Sequence, residues 1–155
     1  GGGFVGELSA DDPNIARATR TGGKEILPNG NELVKSDQHY CMLIGSDGLY
    51  QPVIVDMKST QLSVSRRWKT QIAMLKVKDA QGVLKTPALF GTVWRLTTVE
   101  QSNDMGTWYN WSVEKVKMID DEALLQEAIN FRKSIQKGEA KAVVEDHDDK
   151  EEAPF

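Results

Sequence analysis

Residues 59–77 read STQLSVSRRWKTQIAMLKV, and this stretch decides the fold. Val64, Trp68, Ile72 and Leu75 recur at i, i+4, i+8 and i+11. That spacing is one face of a helix, opened by Ser59 or Thr60 as N-cap and running to about Val77. Arg66, Arg67, Lys69 and Lys76 lie on its other sides. Two runs with strand character precede it. Residues 32–44 end in the apolar Tyr40-Cys41-Met42-Leu43-Ile44, Gly45-Ser46-Asp47-Gly48 is a turn, and residues 49–57 carry Val53-Ile54-Val55. Together they predict a hairpin. A loop over 78–87 around Gly82 follows the helix, then a second hairpin. Its first strand, 89–100, is dense in β-formers, its turn is Asn103-Asp104-Met105-Gly106, and residues 107–118 return.

Asp120 is placed to cap a last helix, with Leu124, Ala128, Phe131 and Ile135 along one face and Gly138 in the C′ role. Residues 1–31 are poor in apolar side chains and hold the turn signals Asp11-Asp12-Pro13-Asn14 and Leu27-Pro28-Asn29-Gly30, with room for a short strand at 24–27. The resulting order is strand, strand, strand, helix, strand, strand, helix. That order predicts a mainly β (α+β) chain, a five-stranded OB-fold-like barrel with a helix between strands 3 and 4 and a C-terminal helix. Residues 1–138 would be this body with an N-terminal extension, and residues 139–155 an acidic, flexible tail.

Composition narrows the function. Apolar residues are 39 % of 155, enough for one core. No run of 18 apolar residues exists to span a membrane, and no basic segment followed by an apolar run marks a signal peptide, so a cytoplasmic setting is expected. Cys41 is the one cysteine and sits in an apolar run, which favours a core role over reactivity. With only His39 and His147 beside it, a Cys/His zinc site is not available. Catalysis is not expected either. No phosphate-cradling glycine loop or nucleophile elbow is present, His39 has no partner nearby in sequence, and Asp120-Asp121-Glu122 is explained by a helix N-terminus. No catalytic residue, metal or cofactor is therefore assigned.

Charge is unevenly spread. The formal net charge of −4 divides into 17 basic and 16 acidic residues over 1–138 and 2 basic and 7 acidic over 139–155. Residues 58–117 hold 10 basic and 4 acidic residues, a net of +6. Aromatic residues interleave with this basic middle. Trp94, Arg95, Trp108, Tyr109, Trp111 and Lys115 lie on the second hairpin, and alternation puts Trp108 and Asn110 on one face and Tyr109, Trp111 and Val113 on the other. Both faces cannot be core unless the last helix covers one. An exposed ring on a strand stacks any base, and cations meet phosphates. The candidate nucleic-acid contacts are those six residues with Arg66, Arg67, Lys69, Tyr40 and Tyr50. Against this stands the preference of Trp and Tyr for sheet cores, and of basic helix faces for simple solvation.

The last residues, Asp148-Asp149-Lys150-Glu151-Glu152-Ala153-Pro154-Phe155, are acidic and then apolar. This pattern resembles the tail of bacterial and phage single-stranded DNA-binding proteins, whose OB-fold body is followed by acidic residues and a final Pro-Phe. Ala153 stands where that family has Ile, and Lys150 interrupts the acids. The body resembles a divergent phage-encoded version. The resemblance implies sequence-nonspecific binding of single-stranded DNA in replication, recombination and repair, in the cytoplasm of a bacterial host. It implies a partner-binding tip of Asp148, Asp149, Glu151, Glu152, Pro154 and Phe155 that recruits replication and repair proteins, and it leaves a homo-oligomer open. The competing expectation is a non-enzymatic protein-interaction or virion module on a small β-barrel.

Overall fold

The structure is a computed structural model, and it describes residues 5–138. The tail and its tip, 139–155, lie outside the described residues. The described chain forms two compact units, 5–34 and 35–138.

The first unit is a small antiparallel sheet. Strands β1 (Thr19–Thr21), β2 (Lys24–Ile26) and β3 (Glu32–Leu33) pair in that order, with β2 in the centre. The expected strand at 24–27 is thus real and has two partners. Lys24 Nζ reaches Glu32 at 2.7 Å across the sheet.

The second unit holds two hairpins and two helices. Strands β4 (Ser36–Ile44) and β5 (Tyr50–Lys58) form the first hairpin. The run expected as one strand over 32–44 is therefore divided between β3 and β4, and the two belong to different units. Gly48, at φ +78°, supplies the left-handed residue of the turn. Helix α1 (Gln61–Met74) follows, then the two-residue strands β6 (Val77–Lys78) and β7 (Leu84–Lys85) in the stretch expected as loop. A 3-10 turn at Leu89–Gly91 leads into the long hairpin of β8 (Thr92–Asn103) and β9 (Gly106–Met118), and α2 (Glu122–Gln136) closes the unit.

The chain is mainly β with two helices, as expected, but the described residues hold nine strands rather than five, and the ladders stay separate. Among the described residues β4–β5 and β8–β9 are isolated two-stranded sheets, so no hydrogen-bonded barrel closes. Pro52 lies within β5 and lacks an N–H, which suits a strand whose second edge carries no partner strand.

Helix α1 organises the core. Val64, Trp68 and Ile72 of its expected face are at most 8 % exposed and pack on Met57, which is fully buried, whereas Leu75, expected on the same face, lies past the helix, which ends at Met74 rather than near Val77. Cys41 and Val55 of the first hairpin, and Trp94, Leu96, Trp111 and Val113 of the second, close around them. Thr60 occupies the N-cap position without making a cap bond. Its own torsions are helical (φ −60°, ψ −25°), whereas a capping side chain needs an extended backbone to reach back. Ser59, at φ +50°, makes the tight entry instead.

Helix α2 is capped by Asp121, one residue beyond the expected Asp120. Asp121 Oδ1 accepts from the N–H groups of Ala123 (2.9 Å) and Leu124 (3.2 Å). Asp120 instead bonds Lys117 Nζ at 2.9 Å. Gly138, at φ +72°, ends the helix as expected. Asp121→Ala is therefore expected to lower the thermal midpoint more than Asp120→Ala does, read side by side by circular dichroism. Among the described residues no helix is long and apolar enough to cross a membrane.

Candidate nucleic-acid interface

The register of the long hairpin sorts its aromatic residues. Leu96 opposes Val113, Thr98 opposes Trp111 and Glu100 opposes Tyr109, so these share one face. Val99 opposes Asn110 and Gln101 opposes Trp108 on the other. This is the alternation expected from sequence, and it has a physical consequence. Near α1 the first face is core, and beyond the core the same strands continue into solvent.

Trp94 and Trp111 fall on the core part, half-buried. Trp94 meets Trp68 edge-on at 6.0 Å and donates its indole N–H to Thr92 Oγ1 at 2.8 Å. Both rings are engaged in packing. Tyr109 lies past the core, 63 % exposed, and its hydroxyl donates to Glu100 Oε2 at 3.2 Å. Trp108 sits half-buried on the opposite face.

A polar cluster that was not foreseen from sequence fixes Trp108. Its indole N–H donates to Gln101 Oε1 at 3.1 Å. The same oxygen accepts from Asn110 Nδ2 at 3.1 Å, and Asn110 Nδ2 also reaches the Thr60 carbonyl at 3.4 Å. Asn110 Oδ1 accepts from the Trp111 N–H at 2.8 Å. Asn110 is only 3 % exposed, so its own bonds work at lower dielectric, where satisfied hydrogen bonds hold geometry firmly, while the Trp108–Gln101 bond lies at the surface. Alternation placed Asn110 beside Trp108, but nothing local pointed to Gln101 or to the corner at Thr60.

The cations are placed elsewhere. Arg66 and Arg67 are exposed on α1, and neither forms an ion pair among the described residues. Arg66 lies about 9 Å along the helix from Thr60, at 1.5 Å per residue. Lys69 is neutralised by Asp37 at 2.9 Å. Arg95 is exposed with Glu114 at 3.9 Å, a weak surface pair, and Lys115 is exposed opposite Trp94. Between Arg95 and Lys115 the hairpin carries Glu100, Asp104 and Glu114 and no cation. Tyr40 and Tyr50 share the face of the first hairpin that meets α2. Tyr40 lies 6.3 Å from the Phe131 ring, and Tyr50 donates to Asp121 Oδ2 at 2.9 Å, which pushes its phenol pKa up.

His39 has partners that its sequence neighbourhood concealed. Its Nε2 lies 2.8 Å from Ser65 Oγ, and its ring stacks on Trp68 at 4.5 Å. Ser65 Oγ donates to Asp37 Oδ2 at 2.7 Å, so it accepts from His39. A nucleophilic serine needs the reverse, a histidine taking the serine proton and a carboxylate orienting the histidine. Ser65 is also fully buried. The set thus reads as a structural clip between β4 and α1. Cys41 is likewise unsuited to nucleophilic chemistry, since burial pushes its thiol up to about 11.

Burial holds the His39 pKa below 6.5, and the charge of Lys69 adds to this while Asp37 opposes it. The folded state therefore binds its proton less readily than the unfolded chain. This contribution to stability is full above 6.5 and is lost as pH falls from 6.5 through the depressed folded value. Urea midpoints across that window should fall with pH, and His39→Phe, which keeps a ring on Trp68, should flatten the fall. An unchanged slope in the variant would contradict this role.

Among the described residues no group of three His, Cys, Asp or Glu side chains is arranged to hold a metal. A model of the family described as Pam3 phage gp34-like protein matches residues 1–141. No curated protein matches the chain, and no solved structure does.

Proposed function

The chain belongs to the Pam3 phage gp34-like family, and we propose that it binds single-stranded DNA during phage replication, recombination or repair. The observation that carries this is the pinned Trp108 ring on the part of a long hairpin that runs beyond the core, with Tyr109 exposed on the other face. A ring held by a hydrogen bond to a network anchored on the buried Asn110 loses little further freedom when a base stacks on it, and stacking is indifferent to sequence. The element order, a hairpin on either side of α1, supports an OB-like body in which the second hairpin is the binding wall.

In this reading a base stacks on Trp108, Tyr109 offers a second exposed ring on the other face of the hairpin, and the phosphates run toward Arg66 and Arg67 of α1, which have no ion pair among the described residues, with Arg95 and Lys115 at the hairpin base. The acids at the hairpin tip keep the electrostatic attraction modest, so stacking contributes most of the affinity. Trp94 and Trp111 support the wall from behind. The tail ending in Pro154-Phe155 recruits replication and repair proteins.

A second reading is favoured by one observation. Met74, Leu84 and Leu89 are 61–74 % exposed, as residues of a protein-binding or virion module would be. Fluorescence anisotropy with labelled oligo-dT and with a duplex of equal length separates the two. The DNA reading expects binding to the single strand, well above that to duplex and weakened by salt. Equal binding to both, or to neither, overturns it.

A further inference from the structure

We propose that Gln101 reads the base stacked on Trp108 and favours bases that present carbonyl oxygens, thymine above adenine. This rests on the single-stranded DNA reading and adds base selectivity to it.

The orientation of the Gln101 amide follows from its neighbours. A main-chain N–H can only donate, so the Asn110 atom 2.8 Å from the Trp111 nitrogen is the oxygen, and its amide nitrogen points to Gln101 and Thr60. An indole N–H can also only donate. The Gln101 atom 3.1 Å from Trp108 Nε1 and 3.1 Å from Asn110 Nδ2 is therefore oxygen. Both lone pairs of that oxygen are occupied. The Gln101 NH2 group is left with two donors and no acceptor among the described residues, on a side chain that is exposed.

The position of this group matters as much as its polarity. Gln101 and Trp108 are directly opposite in the ladder, where side chains lie about 5 Å apart on one face. A base stacked on the Trp108 ring brings an edge to the Gln101 amide. Thymine offers O4 and O2 as acceptors there. The contrast lies at the major-groove edge, where thymine O4 stands beside the methyl while adenine sets its N6 amino donor beside N7, which a donor-only group meets poorly. The bond to Trp108 and the reading of the base use opposite ends of one amide, so they can be separated.

Gln101→Glu performs the separation. A carboxylate still accepts from Trp108 and Asn110, but it presents an acceptor to the base. The added charge weakens binding to every oligonucleotide, whereas the ratio of oligo-dT to oligo-dA affinity reports the edge contact alone. That ratio should fall about five- to tenfold, as for one base-edge contact. Gln101→Met, uncharged and similar in size, should lower it by less and serves if the acidic variant does not fold. An unchanged ratio in both variants, with tryptophan quenching retained, overturns the role of Gln101 and leaves the binding site standing. Absence of quenching in the wild-type chain by either oligonucleotide overturns the site itself and the inference with it.

Discussion

Trp68→Ala is expected to lower folding stability by about 3–5 kcal/mol, the usual cost of removing a large buried aromatic ring. Trp68 is 5 % exposed and sits in the core cluster that α1 forms with both hairpins. It lies between His39 of the first hairpin, stacked at 4.5 Å, and Trp94 of the second, edge-on at 6.0 Å, with Met57, Val64 and Ile72 around it. The two hairpins share no strand pairing, so α1 and this ring carry much of what holds them together. Domains of this size have about 5–15 kcal/mol in hand, and the variant should be marginal at 37 °C. Trp68→Phe should cost much less. The Trp68 indole N–H is buried without a partner among the described residues, and a buried N–H left so costs about 1–3 kcal/mol, which phenylalanine removes. Urea unfolding of the three proteins tests the order: wild type, then Phe, then Ala.

Trp108→Ala is expected to leave the fold intact and to weaken binding to oligo-dT by about 10- to 100-fold, the value of one stacked base. Tyr109→Ala should act in the same direction, because the ring is exposed and its one bond, to Glu100, is at the surface. Trp111→Ala should do the opposite, lowering stability while intact protein still binds, because that ring packs against the α1 core. The contrast between Trp108 and Trp111 follows from the register, and that between Tyr109 and Trp111, which share a face, from their distance to the core. If Trp108→Ala and Tyr109→Ala bind as wild type does, this hairpin is not the stacking wall.

Local pattern and long-range pairing differ in how well the sequence displays them. The 3.6-residue spacing of Val64, Trp68 and Ile72 announced a core helix, and alternation sorted Trp108 from Trp111, because both depend on near neighbours. Closure of a barrel depends on strands far apart in sequence and on which edges stay free, and no local signal carries that. The break between β3 and β4 was hidden for the same reason, since residues 32–44 are uniformly strand-like while their pairing partners are different. Asp120 and Asp121 are chemically alike as caps, and the helix uses Asp121 because that residue takes the extended backbone from which its side chain reaches Ala123 and Leu124. At the site, Trp108 was legible as an aromatic residue on a strand. Its orientation was not, because Gln101 bonds it from the opposite strand and Thr60, at the start of α1, braces the Asn110 that holds Gln101.

The central claim is that rings on the β8–β9 hairpin stack bases of single-stranded DNA. Titrating the full chain with oligo-dT while following tryptophan emission tests it most directly. The account predicts quenching that saturates at micromolar protein, is reversed by added salt, and is largely lost in Trp108→Ala. No quenching at micromolar protein, or quenching that Trp108→Ala leaves unchanged, would contradict it.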